Sequence, residues 1–321
     1  MTAHRVGFHA SHEQFSPREL LELVGRAERA GFGAAMCSDH LQPWSASQGQ
    51  SGFAWSWLGA AMATTDLSFG TVTAPGQRYH PAIVAQAIAT LGEMFPGRFW
   101  VALGSGEALN EAVTGDRFPA RDERNARLRE SAGVIRALLA GETVSHDGLI
   151  TVKEARLWTL PATTPQLLGA AVTEETARWV AGWADGLITV ARPGDALRRV
   201  VDAFRDGGGG SKPMYLQAHV AYSENDAAAR DAAFDQWRTP IFESPVLAAL
   251  PSPAAFDAAA QFVRPDDVDG PVRISSDASR HVDWLGADFE LGFDRVYVHH
   301  VGRDQAAFID RFGTEVLPQL R

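Results

Sequence analysis

The chain carries one cysteine, Cys37, among its 321 residues. A single thiol excludes an intramolecular disulfide and a cysteine-based zinc cluster. Its setting in Ala34-Ala35-Met36-Cys37 reads as packed core rather than as a nucleophile. No lysine/arginine run occurs, and 29 basic against 39 acidic residues leave a formal net charge of −10. Nucleic acid and anionic membrane surfaces are therefore poor partners. No apolar run reaches the roughly 18 residues that a membrane span requires. The opening Met1-Thr2-Ala3-His4-Arg5-Val6 lacks the charged-then-apolar layout of a secretory signal. The expectation is a soluble, cytoplasmic protein acting on a small molecule.

What is present is an alternation. Short apolar runs at Val6–His9, Ala34–Cys37, Ser68–Val72, Phe99–Leu103, Gln166–Gly169, Gly186–Val190, Met214–Val220 and Arg295–His299 read as strands. Segments of helical period separate them: Arg18–Ala30, Ala82–Met94, Asn125–Leu139, Thr173–Ala184 and Asp195–Phe204. Ser16, Pro17 and Glu19 form a helix-start signal with a capping box. Strands alternating with helices predict a parallel sheet with right-handed crossovers. Eight of them at this length predict an α/β protein, a (β/α)₈ TIM barrel forming one domain over 1–321. The long connection 225–293, between strands seven and eight, is expected to be an ordered lid. The stretch Val144–Trp158 is expected to form a small excursion, and the turn at Gly207–Gly210 a connector without chemistry.

In such barrels the C-terminal strand ends carry the chemistry. Asp39 and His40 arrive where the second strand leaves the core, followed by Trp44; histidine titrates near neutrality and a carboxylate can orient it. The plainer reading of Asp-His is a capping aspartate beside a surface histidine. His12 and Glu13 follow the first strand, and His299 and His300 end the eighth. Gly104-Ser105-Gly106-Glu107 would let backbone approach a planar ligand; Glu107 alone could equally be a helix-start residue. Gly104-x-Gly106 is not a dinucleotide fingerprint, since the third glycine and the ribose-binding acid are missing. Gly169-Ala170-Ala171 before a helix offers free N–H groups for a phosphate, or is simply a close strand–helix turn. No metal site is expected from the scattered histidines.

Taken together, Ala10–Pro17, Ser38–Trp44, Arg78-Tyr79-His80-Pro81-Ala82 and Gly104–Glu111 with Thr114-Gly115 resemble the luciferase-like superfamily, in its branch of F420-dependent glucose-6-phosphate dehydrogenases. Gly292–Tyr297 with Gly302 resembles the same family's eighth strand and exit. The match is closest to relatives regarded as FMN-dependent, so the resemblance implies FMN, with coenzyme F420 as the alternative, and a homodimer. It implies that His40 takes the proton of a substrate hydroxyl as hydride moves to the cofactor ring. Trp44 would shield the reacting face, Glu107 would transfer a proton at the reduced ring, and Glu13 and Asp39 would support His40 or touch the cofactor. Val72 and Thr73 would form a bulge, often with a non-prolyl cis peptide, behind the ring. Gly104, Gly106, Asn110 and Thr189 would line the cofactor, and Gly169, Ala170, Ala171, Val172 and Thr173 would take its phosphate. Arg192, Trp237 and Arg273 would face the substrate under the lid.

Two departures stand out. After the sixth strand, Thr189-Val190-Ala191 runs into Arg192-Pro193 where the sugar-phosphate dehydrogenases have Gly-Lys. Pro253–Ala258 also lacks their lid lysine, leaving Arg273 as the remnant of a phosphate clamp. Glucose 6-phosphate is therefore not the expected substrate. Arg78, Arg98 and Arg192 look scattered rather than clustered, which tilts the cofactor slightly toward FMN over the polyglutamate-tailed F420. The leading expectation is a flavin- or deazaflavin-dependent oxidoreductase with His40 as acid/base. The alternatives are a reduced-flavin (FMNH2) monooxygenase and a non-catalytic flavin-binding barrel.

Overall fold

A computed structural model describes residues 6–320. Eleven strands are present among them: β1 (Val6–Ala10), β2 (Ala34–Ser38), β3 (Ser68–Thr73), β4 (Phe99–Leu103), β5 (Val144–Asp147), β6 (Thr151–Ala155), β7 (Gln166–Ala170), β8 (Leu187–Val190), β9 (Met214–Ala221), β10 (Arg273–Ile274) and β11 (Arg295–His300). Eight of these close on themselves in the order β1-β2-β3-β4-β7-β8-β9-β11, every pairing parallel. The fold is the expected (β/α)₈ barrel. Its strands are continuous apolar runs because helices cover the outside and side chains fill the inside.

The barrel interior is closed off by bulk. Trp100, Tyr215 and Tyr297 pack with Ala34, Met36, Ala102, Leu168 and Ile188 in one cluster. Trp100 Nε1 donates to Tyr297 Oη at 2.8 Å, satisfying both polar tips in the dry centre. Two glycines make this possible. A Cβ on Gly70 would lie 1.8 Å from Trp100 Cε2, and one on Gly7 2.3 Å from Tyr297 Cδ1. Gly70→Ala is therefore expected to lower the unfolding free energy by about 3 kcal/mol, the upper range of overpacking. Urea denaturation checks it; a loss under about 1 kcal/mol would mean that Trp100 has room to move.

Outside, the first helix, Pro17–Ala30, shows how sequence sets its frame. Ser16 accepts from the Glu19 N–H, Pro17 opens the first turn, and Gly31, at φ 99°, closes the last. Leu20, Leu23, Val24 and Ala27 fall on one stripe and are buried against the sheet. The excursion Val144–Trp158 contains an antiparallel ribbon, β5–β6. Glu130 holds it, accepting from the Leu149 N–H at 2.9 Å and lying 2.9 Å from His146 Nε2.

The connection 225–293 is not one lid. Its helix Ala278–Glu290 packs beside β11 as the barrel's own outer helix. Helices Asp226–Trp237, Ser244–Ala249 and Pro253–Ala260 and strand β10 form the cap proper. They build a second apolar core, around Trp237, Phe256, Val268 and Val272, into which Trp44 and Leu109 of the mouth loops insert. No helix among the described residues is long and apolar enough to cross a membrane.

Candidate active site

One cavity of about 950 Å³ opens at the C-terminal strand ends. At its centre stands a carboxylate–imidazole pair. Glu13, on the turn leaving β1, places Oε1 2.8 Å from His40 Nδ1 on the turn leaving β2. Its other oxygen accepts from Ser11 Oγ at 2.9 Å and Ser38 Oγ at 2.8 Å. Glu13 is 2% exposed. Burial would raise its pKa, but the His40 charge and the hydrogen bonds from His40 and Ser38 outweigh that and hold it below the usual range. His40 shows the reciprocal effect: burial would lower its pKa, yet Glu13, with a smaller push from Glu107, raises it. With Nδ1 engaged, Nε2 is the nitrogen left for the cavity, which the His40 ring lines. Trp44 stands edge-on to that ring, centroids 5.1 Å apart.

Asp39 faces the barrel wall rather than the His40 ring. It accepts from Thr73 Oγ1 at 2.7 Å and Tyr79 Oη at 3.0 Å, and Arg78 Nη2 lies 3.5 Å from it. Arg78 also donates to the Asp39 carbonyl at 2.6 Å and meets Glu111 Oε1 at 3.4 Å. This buried Asp39–Arg78–Glu111 bridge ties the β2, β3 and β4 loops together. Thr73 continues β3 in register with Leu103, and Val72 pairs with Ala102. No cis peptide occurs among the described residues. The bulge and cis bond implied at Val72–Thr73 are thus not found: ladder bonds to β2 and β4 hold the chain extended.

Glu107 ends the β4 loop, its side chain making no cap for the short helix behind it. Its Oε2 is buried and has no hydrogen-bond partner among the described residues. Burial pushes its pKa up to about 7; the His40 charge opposes this, and Glu13 and Glu111 add to it. Gly106, at φ 78°, permits the turn, and a Cβ there would meet Glu111 Cγ at 2.7 Å. Asn110 lines the cavity, but its Oδ1 is taken by the N–H groups of Leu41 (2.9 Å) and Gln42 (3.3 Å). It holds the His40 loop rather than presenting a free amide oxygen.

At one end of the cavity Ala170, Ala171, Val172 and Thr173 face inward before the helix Glu174–Ala181, which Thr173 caps by accepting from the Thr176 N–H. Gly169 does not face it. A Cβ there would lie 2.5 Å from Val180 Cβ, so this glycine serves close strand–helix packing. Arg78, Arg121, Arg124 and Arg192 all line the cavity. Arg78, Arg98 and Arg192 look scattered along the sequence; folding brings Arg78 and Arg192 to one cavity with Arg121 and Arg124. Arg98 is elsewhere, donating to the carbonyls of Met62, Thr65 and Leu67. Arg121 and Arg124, three apart at the start of the helix Arg121–Leu139, share a face. That spacing was the available signal, and it was missed.

The other end, beneath the cap, is neutral. Thr189 Oγ1 and His9 Nδ1 are buried there without partners among the described residues. His9 and His299 stack at 4.2 Å, and Trp237 stands edge-on to His299 at 4.6 Å. Burial drives His9 down to about 4 and His219 to about 3, and holds His299 well below its ordinary value, so all three are uncharged near neutrality. His219 and Gln217, 3.2 Å apart, line this wall and were not anticipated from sequence. Arg273 does not line the cavity. It borders a smaller neighbouring cleft, and both its terminal nitrogens are engaged by Asp288 at 2.6 and 2.8 Å. The expected phosphate-clamp remnant is an internal ion pair. Arg192 borders both spaces.

Fold and site define a parallel (β/α)₈ barrel whose strand-end cavity is organised around a paired glutamate and histidine. The chain belongs to the luciferase-like monooxygenase family, whose model matches residues 1–298. It is 36% identical to the F420-dependent glucose-6-phosphate dehydrogenase of Beutenbergia cavernae over 99% of this chain and 97% of that protein. The Mycobacterium tuberculosis protein of the same name (strain CDC 1551 / Oshkosh) is 32% identical over 99% and 98%. Among solved structures, an F420-dependent secondary alcohol dehydrogenase in complex with an F420-acetone adduct superposes with a TM-score of 0.90. It is 28% identical, with 99% of each chain covered. These relatives carry F420 in their names, and FMN as the principal cofactor finds no support.

Proposed function

We propose that this protein is an F420-dependent oxidoreductase that moves hydride between the deazaflavin and a small alcohol or carbonyl substrate. The observation that carries the reading is the Glu13–His40 pair sharing one cavity with Glu107, two carboxyls whose surroundings push them in opposite directions. When bound, the cofactor ring supplies the hydride acceptor or donor. The residues present fit such a group: the buried Glu107 Oε2 lacks a partner, Arg121 and Arg124 at the cavity margin suit an acidic tail, and Ala170–Thr173 lead into a helix start suited to a phosphate.

In this reading His40 Nε2 takes the substrate hydroxyl proton while Glu13 holds the ring and stabilises the imidazolium. Glu107, its pKa pushed up to about 7 by burial, holds or donates a proton in the same cavity. Trp44 excludes water from the reacting face, and Asp39, bonded to Thr73, Tyr79 and Arg78, supports the loop that carries His40. Val72, Thr73, Gly104, Gly106 and Thr189 form the walls of the ring pocket. Arg192 and Trp237 sit at the substrate side.

Binding is the direct test. F420 at one hundred times its dissociation constant stabilises a folded protein by about 2.7 kcal/mol, seen as a rise in Tm. The expected result is such a rise with F420 and none with FMN at the same concentration. FMN stabilisation without an F420 effect would sink the deazaflavin reading and favour the reduced-flavin monooxygenase.

A further inference from the structure

The wall beside the reacting histidine is not held by the barrel alone. Trp44 is 9% exposed and sits between two rings: His40 on one side and Phe256 of the cap on the other, both edge-on at centroid distances of 5.1 Å. The loop that carries Trp44 is stitched to the cap at two points. Within the loop, Trp44 donates its N–H to Gln48 Oε1 at 2.9 Å, and Gln48 Nε2 donates to the Gln236 carbonyl of the cap at 3.1 Å. The second point is a carboxylate. Asp257, next to Phe256 on the helix Pro253–Ala260, accepts from Ser45 Oγ at 2.6 Å through one oxygen and from the Ala46 N–H at 3.1 Å through the other. Ser45 itself is buried, and its hydroxyl also anchors the Ser47 N–H at 3.1 Å.

We propose that Asp257 is a positioning residue: it clasps the cap to the Trp44–Gln48 loop, and through Phe256 and Trp44 fixes the packing against His40. Hydrogen bonds to an ionised acceptor are the stronger kind, and two on one carboxylate define a geometry as well as a contact. The loop and cap share one apolar core, and the two Asp257 hydrogen bonds fix how the loop is set against it. The inference rests on the reading of His40 as the reacting base, but its first test needs neither cofactor nor substrate.

Hydrogen exchange followed by mass spectrometry on the full chain reads the clasp. In Asp257→Ala, the amides of Trp44–Gln48 should exchange at least tenfold faster while those of β1, β2 and β11 keep their rates. Asp257→Asn, which can still accept from Ser45, should fall between. Ser45→Ala should reproduce most of the loop effect, and the double variant should be no worse than the stronger single, because both remove one clasp. Imidazole NMR on the same proteins should show the His40 titration midpoint displaced in Asp257→Ala and restored toward wild type in Asp257→Asn. Unchanged loop exchange, or faster exchange spread over the barrel strands, overturns the proposal. So does a freed loop with an unmoved His40, which would leave Asp257 a local strut. With F420 loaded, kcat should fall about fivefold at unchanged cofactor KM. No turnover in wild type would count against hydride transfer, while the exchange and titration results would still decide the clasp.

Discussion

Replacing His40 with alanine is expected to lower the rate of F420 reduction by an alcohol about a thousandfold, with F420 affinity changed little. A positioned general base contributes roughly two to four powers of ten, and among the described residues no other histidine in this cavity is placed to substitute. His9, His219 and His299 are already uncharged and packed together beneath the cap, and none of them hydrogen-bonds to the Glu13 carboxylate, whose partners among the described residues are His40, Ser11 and Ser38. The pH profile carries the sign. His40 acts as a base only when neutral, and Glu13 raises its pKa above 6.5. Oxidation should therefore rise with pH through a midpoint above 6.5. Glu13→Gln removes the largest raising influence, so that limb should move to lower pH while kcat falls about tenfold. Single-turnover kinetics across pH 5 to 9 measure both. A His40→Ala enzyme within threefold of wild type, or a limb that does not move in Glu13→Gln, would remove the base from His40.

Glu107→Gln is expected to lower kcat about a hundredfold and, at pH 8, to make the protein more stable. Burial lifts the Glu107 pKa from 4.5 to about 7, so the folded state binds more protons than the unfolded chain between those values. Stability from this group is full below pH 4.5 and is lost as pH rises through 7. Glutamine keeps the neutral shape and removes the loss, a gain on the order of 2 kcal/mol at pH 8 and none at pH 4. The Glu13–His40 pair works the other way at its acid side. Depressed Glu13 contributes stability above pH 4.5 that disappears as pH falls through its folded value. Raised His40 contributes below pH 6.5 and loses that contribution as pH rises through its folded value. Urea unfolding of wild type and Glu107→Gln at pH 4, 6 and 8 separates the groups. A stability difference that is flat with pH would mean Glu107 is ionised in the folded protein.

The barrel was legible because its signals are local. Each of the eight predicted strands starts and ends within one residue or so of the observed one, since a buried parallel strand is an apolar run bounded by turn chemistry. Ser16 and Pro17 announced their helix for the same reason. The strand ends then pointed to Glu13, Asp39, His40, Trp44 and Glu107, because in a parallel barrel the chain must leave the core at one face. Other expectations failed where long-range contacts decide. Gly169 looked like a phosphate turn and proved to be a packing glycine under Val180. Arg273 looked like an anion clamp until Asp288, fifteen positions later, took both its nitrogens.

Sequence by itself determined the barrel, its strand ends and the types of residue gathered there, because period, propensity and strand polarity are written along the chain. Only the tertiary structure decided which charges remain available. Arg78 is taken up by Asp39 and Glu111 and Arg121 meets Glu175, while Arg124, on the same helix as Arg121, and Arg192, after β8, reach the same cavity. Glu13 and Glu107, alike as residues, are driven apart in pKa by what each is buried beside. Whether an ionisable group is paired, stranded or neutral depends on neighbours within a few ångströms, and the closure of the barrel sets those neighbours.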